Sequence, residues 1–396
     1  MKKYLDKGAT STHDSAMESS IEDKPIEGRT LKRIDNIFDS MISDINISRA
    51  IDSVNKAHRW YGHHKPNKRV IWIEKTKNER IKELRQIIIN GFEPTKAKIR
   101  VRYDNNSKKY RNICEPRLYP DQYVHHILIQ ALEPVFMRGM DPYCCGSVKG
   151  RGIRYGKCAI EKWMRNDYSG TRYCLEMDIR HFYDNLQPCV VMQRLRHLIK
   201  DGRVLDLCER VMKYGIMIGA YFSQWFANVT LQELDTIIRK SGAKHYIRYL
   251  DNFTVFCNRK RTLHRIRAAA DKWLRERHMK LKYNYQVFKT ICRMPDALGF
   301  RYSRKATYMR KHSLYTMTRQ IRRIKKMLAC GVEVPYTEAS GVLSRIGRLR
   351  MCNSYVIYKR YVGVGFQKKM KNIVREYQKE RLTVWSTFLA CRTSSK

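Results

Sequence analysis

A chain of 396 residues, 43% of them hydrophobic, is long enough to bury a sizeable core and too apolar to be wholly disordered. Eighty Lys and Arg against 37 Asp and Glu leave a formal charge of +43; residues 1–60 balance at ten basic and ten acidic, whereas residues 301–396 hold 23 basic against four acidic. So one-signed a field predicts attraction to a polyanion that falls steeply with salt. Nucleic acid is favoured over a membrane surface, because no apolar run approaches the ~20 residues that span a bilayer. The start, MKKYLDKGATSTHDS, lacks a signal-peptide apolar region, so a cytoplasmic location with no membrane partner is expected. The 12 cysteines show no C-x-x-C spacing and read as reduced, mostly buried thiols. The pairs His63-His64 and His125-His126 lack helical ligand spacing to a third partner and read as ordinary surface or core histidines.

Residues 1–28 are polar and Ser-rich and predict a flexible tail or docking arm. Helical periodicity runs from about Thr30 to Trp60, with Ser43 and Asp44 as capping residues. RIKELRQIIIN, Arg80 to Asn90, predicts an amphipathic helix ended by Asn90-Gly91. Residues 96–116, KAKIRVRYDNNSKKYRNICEP, alternate about Asn105-Asn106 and predict a hairpin with basic strands. DQYVHHILIQALEPVF follows as a helix, then the Gly-rich basic loop CCGSVKGRGIRYG, a further helix, and a strand from Arg172 to Ile179. KHYIRYLDNFTVF, Lys244 to Phe256, predicts strands Tyr246–Leu250 and Phe253–Phe256 around the polar turn Asp251-Asn252. In YTMTRQIRRIKKML, Met317, Ile321, Ile324 and Leu328 form one helical stripe, and Arg319, Arg322, Arg323 and Lys326 line another face. Further helices continue the basic region; there is no internal repeat.

Two acidic side chains sit at strand ends: Asp178, closing CLEMD, and Asp251, at the hairpin tip. Either alone reads as a solvated cap. Brought side by side in so basic a chain, they would make a site for hard divalent cations, which prefer oxygen ligands. Two such ions roughly 3.5–4 Å apart can activate a 3′-hydroxyl and stabilise a leaving pyrophosphate.

In order and spacing, DIRHFYDNL, GIMIGAYFSQWFANVTLQELD, YIRYLDNFTVF, LKYNYQVFKTI and DALGFRY resemble the successive palm motifs of reverse transcriptases. KKYRNICEPRLYPDQYVHHILIQALEPVF and GSVKGRG resemble the fingers motifs of bacterial members. The resemblance spans roughly Lys68 to Ser303. Ile218 to Gln224, IGAYFSQ, is most similar to diversity-generating retroelement enzymes, with related unassigned and antiphage-defence lineages close by. It implies an α+β right-hand polymerase: an N-terminal tail and helical extension over 1–60, fingers over 61–172, and a palm with an antiparallel sheet over 173–303. Residues 190–214 return to helices between fingers and palm, and a basic helical thumb covers 304–396.

The resemblance makes Asp178 and Asp251 ligands of two Mg2+ ions, assisted by the Ile179 carbonyl. It places Tyr183, five residues after Asp178, as the ring that collides with a ribonucleotide 2′-hydroxyl. Lys109 and Arg111 correspond to residues gripping the incoming triphosphate, as a bidentate guanidinium suits phosphate. Gly219, Ser223 and Gln224 correspond to the nucleotide-pocket motif, Gly permitting close backbone approach. Lys289 corresponds to the palm lysine near the triphosphate, a candidate proton donor to pyrophosphate. Leu298 to Tyr302 matches the primer grip, and Arg319, Arg322, Arg323 and Lys326 would follow the product duplex through phosphate contacts.

One departure stands out. Most reverse transcriptases read Tyr-x-Asp-Asp at the tip, and this chain reads Tyr249-Leu250-Asp251-Asn252. Asn offers a neutral carbonyl oxygen but no charge, so activity with altered metal preference, Mn2+ favoured, is expected. The implied partners are an RNA template and DNA product, with a dedicated non-coding RNA and an accessory protein or second polymerase, in a bacterial or phage-encoded system for antiphage defence or diversification of a target gene. The alternatives are an RNA-directed RNA polymerase, disfavoured by Tyr183 where those enzymes usually carry a carboxylate, and a catalytically weak, maturase-like RNA-binding protein.

Overall fold

The computed structural model describes residues 32–61, 65–104 and 109–390, and all of these but Lys32 belong to one compact unit that starts at Arg33. The Ser-rich tail, His63-His64 and the Asn105-Asn106 turn lie outside the described residues.

Helix α1 (Asp44–His58) starts at Ser43, whose hydroxyl accepts the Asn46 amide at 3.3 Å, with Asp44 in the first turn complementing the helix dipole. The helix occupies only part of the stretch from about Thr30 to Trp60 with helical periodicity, and a single helical turn over Phe38–Met41 precedes it. Ile47, Ala50, Ile51 and Val54 share one face of α1 and are fully buried. Helices α2 (Lys68–Lys75) and α3 (Lys77–Ile89) follow, α3 beginning three residues earlier than Arg80. The hairpin β1 (Lys98–Asp104) and β2 (Lys109–Glu115) pairs Lys98 with Glu115 and Arg102 with Arg111. Helix α4 (Tyr123–Met137) is locked to α1 where Asn46 donates its side-chain amide to the Ile127 carbonyl at 3.0 Å.

After α5 (Ile153–Asn166), strand β3 (Tyr173–Asp178) enters the central sheet. Helices α6 (Pro188–Leu198), α7 (Gly202–Val211), α8 (Tyr221–Thr230) and α9 (Gln232–Lys240) separate it from the hairpin β4 (His245–Tyr249) and β5 (Asn252–Cys257). Helix α10 (Lys260–Arg275) leads to β6 (Gln286–Lys289). The sheet is antiparallel, in the order β4-β5-β3-β6. Strand alternation puts Cys174, Glu176 and Asp178 on one face with Ile247, Tyr249, Asn252, Thr254 and Phe256.

That face is covered over only part of its length. Ile160, Trp163 and Met164 of α5 form one core with Cys174, Ile247 and Phe256. A small sheet of β7 (Asp296–Ala297), β8 (Phe300–Tyr302) and β9 (Thr307–Met309) adds Ala297, Phe300 and Tyr302. The remainder opens into a cleft of about 830 Å³ lined by Asp178, Tyr249, Asn252 and Lys282. On the opposite face Tyr246 and Arg248 bond into α8 and α9.

The C-terminal helices α11 (Lys311–Ala329), α12 (Tyr336–Leu349) and α13 (Val364–Ala390) have their own core. Met317, Ile321 and Ile324 are fully buried in it, as their spacing predicts, and Leu328 is partly so. Helix α13 then reaches back to the N-terminal helices, where Trp385 packs on Trp60 with ring centroids 5.6 Å apart, beside Val70 and Ile71. Among the described residues no helix is long and apolar enough to cross a membrane.

Candidate active site

The register fixes the site. Asp178 ends β3 directly opposite Asn252, the first residue of β5, so the turn residue Asp251 comes beside Asp178. The Ile179 amide donates to the Asp251 carbonyl at 3.2 Å, tying the strand end to the turn. Burial and the neighbouring Asp178 charge push the Asp251 carboxyl up to about 6. Asp178 is half-buried, and its Oδ1 is shut off from solvent with no hydrogen-bond partner among the described residues. Its Oδ2 is contacted by the Lys282 ammonium. Asn252 is exposed, and its side-chain amide donates to Asp251 Oδ1 at 3.1 Å.

A buried scaffold holds the turn. Arg248, fully buried, donates to Asp235 at 2.7 and 2.8 Å and to Asn228 Oδ1 at 2.8 Å. The same guanidinium donates to the Leu250 carbonyl at 3.2 Å, bracing a non-glycine residue at φ +55. From below, the loop after Tyr143 presses on the turn. Cys145 donates its amide to the Arg248 carbonyl at 2.8 Å, and a Cβ on Gly146 would lie 2.6 Å from the Leu250 nitrogen. Only glycine fits there.

Residues 97–301 match the family described as reverse transcriptase (RNA-dependent DNA polymerase). The chain belongs to the reverse transcriptase family. It is also 29% identical, over 110 residues, to the nuclear intron maturase 1, mitochondrial, of Arabidopsis thaliana; the match covers 27% of this chain and 15% of that relative's length.

Several of the residues expected at the site come together. Tyr183 is half-buried close to Asp251, whose charge, added to burial, pushes its phenol up to about 12. Gln224 is exposed on α8 and accepts from the Ser147 hydroxyl at 2.7 Å, while Ser223 is buried. Gly219 has φ +116, and a Cβ there would meet the Cys114 carbonyl at 2.1 Å. The close approach it permits is therefore to β2, whose Cys114 amide donates to the Ile218 carbonyl at 2.7 Å. Arg111 and Lys109 are exposed further along that strand, on the same face as Ile113, which flanks Gly219.

Lys289 does not join the site. It pairs with Tyr173, at the other end of β3 from Asp178, roughly 16 Å away at ~3.3 Å per residue. The cation at the carboxylates is Lys282, held in place as its backbone amide donates a hydrogen bond to the Asp178 carbonyl at 2.8 Å. Of the α11 cations, Arg323 pairs with Glu338 and Arg322 lies 5.3 Å over the Tyr361 ring, while Arg319 and Lys326 are exposed.

The His125-His126 and Cys144-Cys145 pairs are packed into the fold. His125 is buried edge-on to Phe222 and His126 is stacked on Tyr221 at 3.7 Å; burial pushes their pKa values down to about 3 and about 4. Burial pushes the Cys144 and Cys145 thiols up to about 11 and about 12. Among the described residues no group of three or more His, Cys, Asp or Glu is arranged to hold a metal. The paired carboxylates, one with an unpartnered buried oxygen, are the donor set that fits a hard divalent ion, with water completing its shell.

Proposed function

We propose that this protein is an RNA-directed DNA polymerase. The observation that carries the reading is the juxtaposition of Asp178 and Asp251 at the open end of the sheet, with Tyr183 beside Asp251. Asp178, Asp251 and the Ile179 carbonyl would hold Mg2+, which in such sites activates the 3′-hydroxyl and stabilises the leaving pyrophosphate. Residues 61–172 serve as fingers, 173–303 as palm and 304–396 as thumb, with α11 and the basic surface of α13 following the template–product duplex by phosphate contacts. Lys109 and Arg111 meet the triphosphate and Gln224 lines the nucleotide pocket, while Gly219 and buried Ser223 shape its wall from behind, where β2 packs at the start of α8. The IGAYFSQ segment supports a bacterial programme of gene diversification or antiphage defence, with a dedicated non-coding RNA as template.

Primer extension by the purified chain on an RNA template with deoxynucleotides tests the reading. Extension supports it. RNA binding without extension in either Mg2+ or Mn2+ would favour the maturase-like alternative, to which the intron maturase similarity and the neutral Asn252 lend weight.

Two further results are expected. Tyr183→Val should raise ribonucleotide incorporation relative to deoxynucleotide, because the ring beside the sugar is the steric barrier. An unchanged ratio would make Tyr183 a packing partner of Phe182, whose ring lies 5.4 Å away. Asn252→Asp places a carboxylate directly opposite Asp178, so it should lower the Mg2+ concentration for half-maximal extension and narrow the Mn2+ advantage. Superimposable metal curves would leave Asn252 as a turn residue that steadies Asp251.

A further inference from the structure

Three features of the site bear on its charge. Asp178 and Asp251 are side by side, the position opposite Asp178 is the neutral Asn252, and the Lys282 ammonium rests on Asp178 Oδ2. Two carboxylates and one ammonium leave a single net negative charge where an Asp-Asp tip without the lysine would carry three.

Lys282 is not a surface lysine that happens to swing past. Ile179 and Leu281 form an antiparallel bridge, Arg180 donates its amide to the Lys280 carbonyl at 2.8 Å, and Lys282 donates its own to Asp178 at 2.8 Å. These backbone bonds fix the Lys282 Cα beside the end of β3. Its side chain is 40% exposed against 25% for Asp178, so the ammonium stays half in water and is free to leave.

Resting on the reading that the carboxylate pair binds divalent metal, we propose that Lys282 is a built-in counter-ion that competes with that metal for Asp178. In the ligand-free protein the ammonium neutralises half of the carboxylate pair, and a divalent ion gains Asp178 only by displacing it. An exposed or half-exposed ion pair is weak, so displacement is easy but measurable. With Asn252 supplying no compensating charge, Lys282 sets the resting metal affinity low. The metal is then retained mainly when an anionic ligand, such as a nucleoside triphosphate, brings further negative charge into the cleft.

The test is Mn2+ binding to the full chain, free of nucleotide and nucleic acid, followed by the electron paramagnetic resonance signal of unbound Mn2+. Lys282→Gln keeps a polar side chain, one bond shorter, without its charge and should tighten the Mn2+ dissociation constant by about fivefold, the scale of a weak ion pair. Lys282→Arg retains the charge and should stay near the parent. Adding a non-hydrolysable deoxynucleoside triphosphate should narrow the gap between Lys282→Gln and parent. Equal dissociation constants in parent and Lys282→Gln, with weaker binding in Asp178→Asn, would overturn the competition while leaving the metal site intact. Equal binding in all three would overturn the carboxylate site itself. Lys282→Arg binding as tightly as Lys282→Gln would show that packing, not charge, is at work and would also overturn the proposal.

Discussion

Asp251→Asn is expected to abolish nucleotide addition, by roughly 10³-fold or more, the scale on which loss of one preorganised charge-stabilising group is felt. The folded chain should survive, and at neutral pH it should gain stability. Asp251 is held above its ordinary value of 3.8, at about 6, by burial and by Asp178. A carboxyl whose folded value is raised stabilises the fold fully only below its unfolded value, and that contribution is lost as pH rises through about 6. At pH 7 the Asp251 carboxylate is ionised in a buried place beside Asp178, so replacing it with a neutral amide relieves the cost of that charge. Thermal midpoints of parent and mutant should therefore converge on acidification to about pH 4 and separate at pH 7, the mutant being higher. Asp178→Asn should be equally inactive, without the same gain, because it also releases Lys282. Extension on an RNA template, with RNA binding measured in parallel, checks the pair. Parental extension by either mutant would remove the carboxylates from the chemistry.

The strands and their turn were legible because period-2 alternation around Asp251-Asn252 and the apolar run ending at Asp178 are local signals. Their adjacency followed from the ordered resemblance, and the register of β3 on β5 realises it. Lys282 was not legible, because its place depends on pairing 104 residues away from Asp178. Lys289 resembled the expected lysine in local sequence, yet strand register carries it to the wrong end of β6. Gly219 was read as making room for a nucleotide, and the room is taken by the Cys114 carbonyl. The contact of Trp385 with Trp60 joins residues 325 apart in sequence, beyond any local pattern. Arg248 did leave a signal. It stands between Ile247 and Tyr249 in an apolar hairpin, where an inward-facing charge requires a buried partner.

That partner carries the second large effect. Asp235→Asn should destabilise the fold by about 3–5 kcal/mol, a large share of the ~5–15 kcal/mol that holds a typical domain. Asp235 is 2% exposed and Arg248 0%, so the mutation leaves a guanidinium buried with only the neutral oxygens of Asn228, Leu250 and the substituted amide to accept its donors. Arg248→Met alone strands Asp235, which retains the Tyr246 hydroxyl as a donor at 2.6 Å and can take up a proton, so its cost should be smaller. Combined with Asp235→Leu, it removes both charges and should recover much of the loss, because a buried ion pair contributes far less than the damage done by breaking it. Denaturant midpoints for Asp235→Leu, Arg248→Met and the double mutant supply the cycle, with Asp235→Asn measured beside them. A midpoint shift for Asp235→Asn worth less than about 1 kcal/mol would mean that water reaches Arg248 and that the site is not dry. Recovery of stability need not restore activity. In the double mutant nothing donates to the Leu250 carbonyl from the 248 side chain, so the residue at φ +55 before Asp251 loses its brace. Extension should stay low in a protein that is folded again, which separates the positioning of the turn from the stability of the sheet beneath it.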